Sequence, residues 1–399
     1  MHSLKLLHKR LLKSQVISHP SRLLALMKAV EGLLNGGKLT LTHLGRHLPG
    51  KGYEKHKVKC MDRLLGNTKL HDERQKIYWL MGHWLLSQTA RPIIIVDWSD
   101  VYEGQQFMML TAGVPIGGRT LTLYEAVYPM KQYNSPKAHK HFLSRLATVI
   151  PQTKRPIIVT DAGFRGPWFR AINELGWDWV GRIRKGVHYT LDQGKSWEST
   201  QRLYCKATFA IQYVGKAILT THQPYTGHLY LVKKNFKGKR PLKRYGDRAL
   251  ALVCRKLYQD PWLLVTSLPH MRGIEKKVEQ LYALRMQIEE TFRDLKNGRW
   301  GLGLEYARSY HQNRLENLLL IGALGSFLIW LNGIVVKTQG WSRYFQANTV
   351  KHRTTLSLFF LGKRLHFDSC FKYSMKNFID AFRELINLPS KQAHFVGIP

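Results

Sequence analysis

The first 85 residues contain leucine-rich runs typical of helices. Glycine-containing turns interrupt these runs near residues 35–37 and 49–52, where a helix is expected to end. The segments 39–48 and 55–67 predict two short helices joined by such a turn, and the second is strongly basic. This pattern fits a helix-turn-helix that reads DNA, and it also fits an ordinary helical bundle with a solvated basic face.

The pattern changes to strands after residue 86. The segment 91–100 is an apolar, β-branched run that ends in acidic residues, which is typical of a buried strand that delivers a carboxylate at its end. Two further strands are predicted at 108–118 and 119–129, with a glycine turn between them. A helical stretch follows around 137–149.

A second acidic strand is predicted at residues 155–164. Its frame R-P-I-I-x-x-D repeats that of residues 91–97. Asp97 and Asp161 are therefore predicted at equivalent ends of two similar strands. A fifth strand is predicted at 177–184.

Residues 185–270 read as short strands and turns without a sustained helical period, and they include a basic stretch at 233–248. A β-rich insertion is the simplest interpretation. A strong helix is then predicted over 275–296. A basic, aromatic part ends the chain.

An apolar segment at 318–336 carries no charged residue over 19 positions. That length could span a bilayer. A helix that is apolar all round and buried behind a sheet gives the same signal. Three glycines, a serine and an asparagine within the segment favour the buried helix, and no membrane partner is expected.

These patterns divide the chain into five segments around an α/β core. The segments are a helical, DNA-binding region at 1–85, the first part of the core at 86–184, the insertion at 185–270, the second part of the core with an acidic helix at 271–336, and a helical region at 337–399.

The charge of the chain narrows the class of partner. Lysine and arginine exceed aspartate and glutamate by 36 in 399 residues, so the expected partner is a polyanion, with nucleic acid ahead of an acidic membrane surface. Four widely separated cysteines suggest neither a disulfide framework nor a cysteine zinc site. The pairs His139/His141 and His43/His47 lack the spacing of a zinc site.

The predicted helix at 275–296 carries a polar stripe. At about 100° per residue, the core face is formed by Leu281, Leu284, Ile288, Phe292 and Leu295. Tyr282, Arg285, Glu289 and Lys296 fall within an adjacent arc of about 60°. Glu290 points away from that arc, so Glu289 is the candidate acid.

Three carboxylates near one another are unfavourable unless cations compensate. Asp97, Asp161 and Glu289 supply hard oxygen ligands that suit Mg²⁺ or Mn²⁺. Two such ions about 4 Å apart support phosphodiester displacement, and Arg285 and Lys296 would then hold phosphates. Taken singly, each residue also has a structural interpretation as a strand-end cap, a solvated helix face or a surface ion pair.

The order of the elements resembles the RNase H-like core of DDE transposases: strand with Asp, two strands, helix, strand with Asp, strand, β insertion, helix with Glu. The spacing Y-(2)-R-(3)-E-(6)-K also resembles the signature of bacterial cut-and-paste insertion-sequence transposases. It falls on the four residues of the polar stripe, and the strings IVDWSD, TDAGF and RMQIEETFRDLK are similar to those of this family.

The resemblance implies a role for each site residue. Asp97, Asp161 and Glu289 would be the metal-binding triad, with two Mg²⁺ or Mn²⁺ ions, while Tyr282, Arg285 and Lys296 would contact transposon-end DNA. Related enzymes form a hairpin on the transposon end, which requires a base outside the stack. Trp262 is then the candidate stacking residue, with a core tryptophan as the alternative, and Met286 is the candidate wedge.

The function implied by the resemblance is transposition. The enzyme would bind terminal inverted repeats, cleave transposon ends, and join the 3′-OH ends to target DNA, acting as a homodimer near the nucleoid in the bacterial cytoplasm. Two alternatives stay open: a catalytically inactive DNA-binding derivative, and an RNase H-like nuclease without strand transfer.

Overall fold

The computed structural model describes residues 1–102, 104, 106–184, 186–234, 260–350, 352–368 and 370–397. The chain forms two compact units. The first combines Met1–Arg155 with Met286–Pro399, and the second is Pro156–Arg285. Both contain helices and strands, so the fold is mixed α/β. The five functional segments predicted above divide the chain differently and stay a prediction.

The helices and strands of the described ranges run as follows. The helices are α1 (His2–Ser14), α2 (Pro20–Gly36), α3 (Leu41–Arg46), α4 (Glu54–Leu65), α5 (Thr68–Leu85), α6 (Pro136–Val149), α7 (Gly166–Glu174), α8 (Gln201–Tyr204), α9 (Ile274–Ala283), α10 (Met286–Lys296), α11 (Gln312–Thr338), α12 (Leu358–Phe367) and α13 (Met375–Phe395). The strands are β1 (Ile93–Asp100), β2 (Phe107–Ile116), β3 (Arg119–Pro129), β4 (Ile157–Thr160), β5 (Asp178–Ile183), β6 (His188–Thr190), β7 (Glu198–Ser199), β8 (Gln212–Leu219), β9 (Tyr225–Val232) and β10 (Trp262–Thr266).

The N-terminal helices confirm the two short helices predicted from the sequence. The side chain of Thr40 accepts a hydrogen bond from the His43 amide and so caps α3. Gly45 of α3 lies against Val58 of α4, and a Cβ at Gly45 would be 2.6 Å from the Val58 Cα. The absence of a side chain at Gly45 therefore lets the two helices meet closely. Whether α4 reads DNA stays a prediction.

Strands β1, β2 and β3 form an antiparallel arrangement with β2 in the middle. The β2–β3 turn contains Gly117 and Gly118, both with positive φ, a backbone conformation that glycine adopts without strain. The predicted strands and the helix α6 are confirmed. One detail is wrong: β1 does not end at Asp97 but continues to Asp100, because its pairing with β2 extends as far as Met108.

Helix α11 is the buried core of the first unit. It is long and apolar enough to cross a membrane by composition alone, and 94% of its most apolar window is buried inside the protein. It packs against α2, α5, α12, α13 and β3. The prediction of a buried apolar helix behind a sheet is confirmed.

The second unit contains a mixed arrangement of strands. Strands β4 and β5 are parallel, and α7 connects them. β10 pairs antiparallel with both β5 and β9, and β8, β6 and β7 continue the order beyond β9. The strands predicted at 155–164 and 177–184 are confirmed. Most of the predicted basic stretch at 233–248 lies outside the described residues.

The single helix predicted over 275–296 is wrong. The chain forms α9 and α10 instead, separated by a turn at Leu284 and Arg285. The turn separates the residues of the first helix from those of the second, so one helical wheel does not describe them. The predicted core positions Leu281, Ile288 and Phe292 are nevertheless buried.

Candidate active site

Asp97 is a buried carboxylate in the middle of β1, only 9% exposed. One oxygen, Oδ1, accepts a hydrogen bond of 2.9 Å from the Trp98 amide. Thr111 stands directly opposite Asp97 on β2, and directly opposed side chains lie on the same face of a sheet. The Thr111 hydroxyl is buried and has no hydrogen-bond partner among the described residues, so an orphaned polar atom adjoins the carboxylate.

The residue after Asp97 is held by an aromatic cluster. The Trp98 indole donates to Nε2 of His139 at 3.1 Å, and its ring packs edge-on against Tyr128 and Tyr133. Burial lowers the pKa of His139 to about 4, so this histidine is neutral at pH 7 and its Nε2 can accept the hydrogen bond. His141 bonds to the Tyr128 hydroxyl. The cluster fixes the strand segment that carries Asp97.

Lys296 lies at the end of α10 beside the end of β1. Its ammonium donates to the Ser99 hydroxyl at 2.9 Å and to the Asp100 carboxylate at 2.7 Å. Asp100 and Lys296 also line an open cavity of about 550 Å³. The sequence predicted a phosphate contact for Lys296 and missed Asp100 as its partner, because the pairing depends on how α10 packs against β1.

Helix α10 carries Glu289 and is tied to the start of β3. The Thr291 hydroxyl accepts a hydrogen bond of 2.7 Å from the Thr120 amide. Asp294 accepts from Arg119 at 2.7 Å, and the carboxylate of Glu290 lies 3.7 Å from the same guanidinium. Glu290 also pairs with Arg293 at 2.8 Å, so its carboxylate lies between two arginines. The choice of Glu289 as the functional acid stays a prediction. Glu289 itself is half-buried.

Asp161 belongs to the second unit and is the first residue after β4. Its Oδ1 accepts a hydrogen bond of 2.8 Å from the amide of Gly163, which closes a turn around the carboxylate. Phe164 and Arg165 follow this turn and lead into α7. The centres of the Phe164 and Trp168 rings lie 4.6 Å apart. Asp161 is therefore placed at a strand end, as predicted.

Tyr282 and Trp262 pack together in the second unit. Their rings meet edge to face at 4.8 Å, and the Lys234 ammonium lies 4.9 Å from the centre of the Trp262 ring while it pairs with Glu279. Tyr282 is only 4% exposed. Neighbouring residues therefore cover the Tyr282 side chain, which is predicted to contact DNA. Trp262, at the start of β10, is half-buried.

Arg182 is a residue of this region that the sequence did not indicate. It hydrogen-bonds to Tyr282, and its Nη2 also donates to the carbonyl groups of Asp260 and Pro261. Burial raises the pKa of Tyr282, while Arg285 and Arg182 oppose that rise. Asp161 raises the same pKa, so Asp161, Tyr282 and the two arginines share one electrostatic environment.

The remaining predicted residues lie at the junction of α9 and α10. Arg285 is in the turn between them. Met286 is the first residue of α10 and is 46% exposed. Across the described ranges, no group of three or more His, Cys, Asp or Glu side chains is arranged to hold a metal ion. The metal-binding role of the triad stays a prediction.

Comparison with known families decides the class of protein. A family model for the transposase DDE domain matches residues 88–325. The chain belongs to this transposase family. The matched range contains Asp97, Asp161 and Glu289, and it begins just before β1. A comparison with curated proteins returns no match. DDE transposases act on DNA and generally use divalent metal ions.

Proposed function

We propose that the protein is an active cut-and-paste transposase that binds terminal inverted repeats, cleaves the transposon ends and joins the freed 3′-OH ends to target DNA. The family match over residues 88–325 carries this proposal. The intact Y-R-E-K spacing from Tyr282 to Lys296 supports the assignment to the insertion-sequence group. We propose that two copies of the chain form the synaptic complex and that the protein acts at the nucleoid.

An RNase H-like core with a β-rich insertion is the fold that we propose. Its support is the antiparallel arrangement of β1 to β3 in the first unit and the parallel pair β4 and β5 in the second. These strands are among the elements in the order that resembles the core of DDE transposases. The segment from β6 to β10 corresponds to the proposed insertion.

The acids Asp97, Asp161 and Glu289 are the proposed ligands of two Mg²⁺ or Mn²⁺ ions. Carboxylate oxygens are the donors that these hard cations prefer, and the orphaned Thr111 hydroxyl beside Asp97 can bond to an ordered water. When bound, the ions activate the attacking hydroxyl and stabilise the leaving oxygen. The protein contributes the fixed orientation of each carboxylate.

The basic residues of the site are proposed to hold DNA phosphates. Lys296 now pairs with Asp100, so a phosphate that reaches Lys296 must compete with that carboxylate. Arg285 is proposed to contact the DNA backbone from the turn between α9 and α10.

For the proposed hairpin step, Trp262 is the stacking platform for a displaced base and Met286 is the wedge. The exposure of Met286 supports this assignment. Tyr282 packs edge-on against Trp262, which supports a role for Tyr282 in holding that platform as well as in contacting DNA. Aromatic platforms receive unstacked bases because every base has a π-face.

The test is cleavage of the DNA that flanks the gene, with Mn²⁺ or Mg²⁺ and mapping of the cut ends. We expect Asp97→Ala, Asp161→Ala and Glu289→Ala each to reduce cleavage at least about 1,000-fold, since removal of a catalytic group typically costs several powers of ten, while DNA binding persists. Glu290→Ala is the matched control, because Glu290 is the adjacent acid and contacts β3 instead.

Two outcomes would contradict the proposal. Full cleavage by any triad variant would overturn the site assignment. A labelled transposon end that is cut but never joined to plasmid DNA would favour a nuclease without strand transfer, and persistent lack of cleavage on the correct repeats would favour an inactive DNA-binding derivative.

A further inference from the structure

A second cavity in the first unit adjoins the cavity lined by Asp100 and Lys296, since Tyr306 and Arg308 line both. Its volume is about 570 Å³, and it is open to solvent. The walls are formed by the chain just before and within α3, by the segment 306–311, and by the start of α11. A volume of this size suits one nucleotide or a comparable small group.

The side chains around this cavity are positively charged. Lys38, Arg308 and Arg314 contribute to its lining, and no acidic residue does so within the described part of the chain. Arg314 pairs with Asp62 outside the lining, which leaves Lys38 and Arg308 as the two cations of the cavity. The Arg308 guanidinium donates to the main-chain carbonyls of Glu305 and Ala307. Both acceptors are neutral carbonyls, so Arg308 keeps its positive charge at this cavity, while Asp100 and Glu305 line the adjoining cavity with it.

Two tyrosines expose their rings at the same cavity. Tyr306 is 47% exposed and Tyr310 is 60% exposed, although aromatic rings of this size are usually more covered in a folded protein. The Lys38 ammonium lies 4.9 Å from the centre of the Tyr306 ring. Cations interleaved with aromatic faces are the side-chain combination that binds single-stranded nucleic acid.

Two buried polar atoms in the cavity wall have no hydrogen-bond partner among the described residues. They are Nδ1 of His43 and the hydroxyl of Ser309. Buried polar groups in native proteins are normally bonded to protein, water or ligand. These two atoms therefore mark a place where a polar ligand or ordered water belongs.

The cavity wall is held in place by main-chain contacts. The Leu39 amide donates to the Leu302 carbonyl at 2.7 Å, and the Tyr102 hydroxyl donates to the Ser309 carbonyl at 3.0 Å. The segment with the two tyrosines is thus tied to Tyr102, just after β1, and the chain four residues before that segment is tied to Leu39, just before α3. A preformed site loses less entropy when it binds.

We propose that this cavity, formed by Lys38, Tyr306, Arg308 and Tyr310, binds a single DNA strand. The two cations hold backbone phosphates, and the tyrosine rings stack against unpaired bases. A duplex presents no free base faces, so the tyrosines distinguish a single strand from a duplex. The inference rests on the function proposed above, because cutting and rejoining DNA exposes single strands.

The test measures binding of fluorescent oligo(dT) and of a duplex of equal length to the full chain, in EDTA. We expect Tyr310→Ala to weaken oligo(dT) binding at least about 5-fold, which is the lower end for loss of one stacked base, and Tyr310→Phe to bind like the unmodified chain. Arg308→Gln should make the dependence of log K on log salt shallower by about 0.7.

Matched controls distinguish binding at this cavity from non-specific attraction of DNA to the positive charge of the whole chain. Tyr344→Ala removes an equally exposed tyrosine, and Arg383→Gln removes an exposed arginine of α13. Both should leave oligo(dT) binding unchanged. Thermal midpoints of all variants show that they are folded, and Tyr306→Ala serves as a second stacking variant if Tyr310→Ala is unstable.

Unchanged oligo(dT) binding by both Tyr310→Ala and Arg308→Gln would overturn the proposal. Equal losses for oligo(dT) and duplex in Tyr310→Ala would overturn the single-strand assignment. EDTA excludes metal-dependent cleavage, so this assay measures binding alone. Failure of cleavage at transposon ends would thus contradict the proposed transposase and leave this binding result standing.

Discussion

At the residue scale, Glu316 holds together three segments of the first unit. Its Oε2 accepts hydrogen bonds from Arg74 at 2.7 Å and from His71 at 2.6 Å, and its Oε1 accepts from the Val127 amide at 2.9 Å. Helices α5 and α11 and strand β3 therefore meet at one buried carboxylate. These contacts keep the pKa of Glu316 below its usual value although burial raises it.

Removal of this carboxylate should be strongly destabilising. Glu316→Ala leaves the buried Arg74 guanidinium uncompensated, and breaking one partner of a buried pair typically costs about 3–5 kcal/mol. Urea unfolding measures the loss. Asp62→Ala is the control, because the Arg314–Asp62 pair is largely exposed on the Asp62 side and should contribute less than about 1 kcal/mol. Equal losses would show that burial is not the cause.

Glu125 gives the first unit a specific pH dependence. Burial raises the pKa of this carboxyl to about 7, even though Tyr78 donates to it. Because the folded pKa lies above the unfolded one, the folded state is favoured below about pH 4.5. That advantage is lost as the pH rises to about 7, at a cost of about 3 kcal/mol.

Glu125→Gln should remove this dependence, because the amide oxygen can still accept from Tyr78 and carries no charge. We expect the free energies of unfolding of the two proteins to agree near pH 4.5. Above pH 7, the variant should be more stable by about 3 kcal/mol. Chemical denaturation across pH 4.5–8 measures the difference. Glu54→Gln, at an exposed position, should show no such divergence, and parallel curves for Glu125→Gln would contradict the assignment.

At the element scale, α11 and α12 cross with their backbones in contact. A Cβ at Gly333 would lie 2.0 Å from the Leu358 carbonyl oxygen, and one at Gly362 would lie 1.8 Å from that of Ile329. Neither backbone can move aside without separating the helices. Gly333, one of the three glycines that argued against a membrane span, therefore lies at the crossing point inside the protein.

Gly333→Ala should destabilise the protein by about 1–3 kcal/mol or more, the usual cost of forcing atoms into a packed interior. The control is Gly325→Ala, where the nearest obstacle is a methyl group of the Leu33 side chain. A flexible side chain can move, and alanine gains about 1 kcal/mol of helix propensity over glycine. Thermal midpoints should separate the two variants. A smaller loss for Gly333→Ala than for Gly325→Ala would contradict the close crossing.

Hydrophobic periodicity predicted most elements because it reports which face is buried. The strands around Asp97 and Asp161 and the apolar helix α11 follow from it directly. The turn at Leu284 and Arg285 did not, since these residues do not break a helix by themselves. Tyr282, two residues before the turn, is buried against Trp262, a contact between residues distant in sequence that a helical wheel does not contain.

The candidate site was predictable to a similar degree. Asp97 and Asp161 are visible in the sequence because an apolar run comes directly before each of them. The pairing of Lys296 with Asp100 and the hydrogen bond from Arg182 to Tyr282 are not visible, because they depend on the packing of elements distant in sequence. Sequence motifs identify which residues carry charge, and the fold determines which charges are neutralised by a neighbour.

At the scale of the whole molecule, the net charge of +36 is spread along the chain. Segment 86–184, with both aspartates, has the smallest excess, at +5, whereas 1–85 and 185–270 each carry +11. Positive charge is therefore concentrated in the segments that flank the candidate catalytic acids. This distribution suits a protein that binds the phosphate backbone of DNA.

Duplex binding should consequently depend steeply on salt. A protein that contacts several phosphates releases counterions, and we expect affinity to fall by about 1,000-fold or more between 50 and 200 mM salt. Fluorescence anisotropy with a labelled duplex at several salt concentrations gives the slope. A slope near zero would show that the excess charge does not meet phosphates. The triad variant Glu289→Ala should give the same slope as the unmodified chain.

The first unit is built from two segments that the second unit separates in sequence, Met1–Arg155 and Met286–Pro399, and this affects its synthesis. Helices α2 and α5 and strand β3 leave the ribosome long before α11, against which they pack. An interrupted translation product that stops before α11 therefore exposes these apolar surfaces, and such surfaces promote aggregation and degradation. The first unit is therefore complete only on chains translated beyond α11.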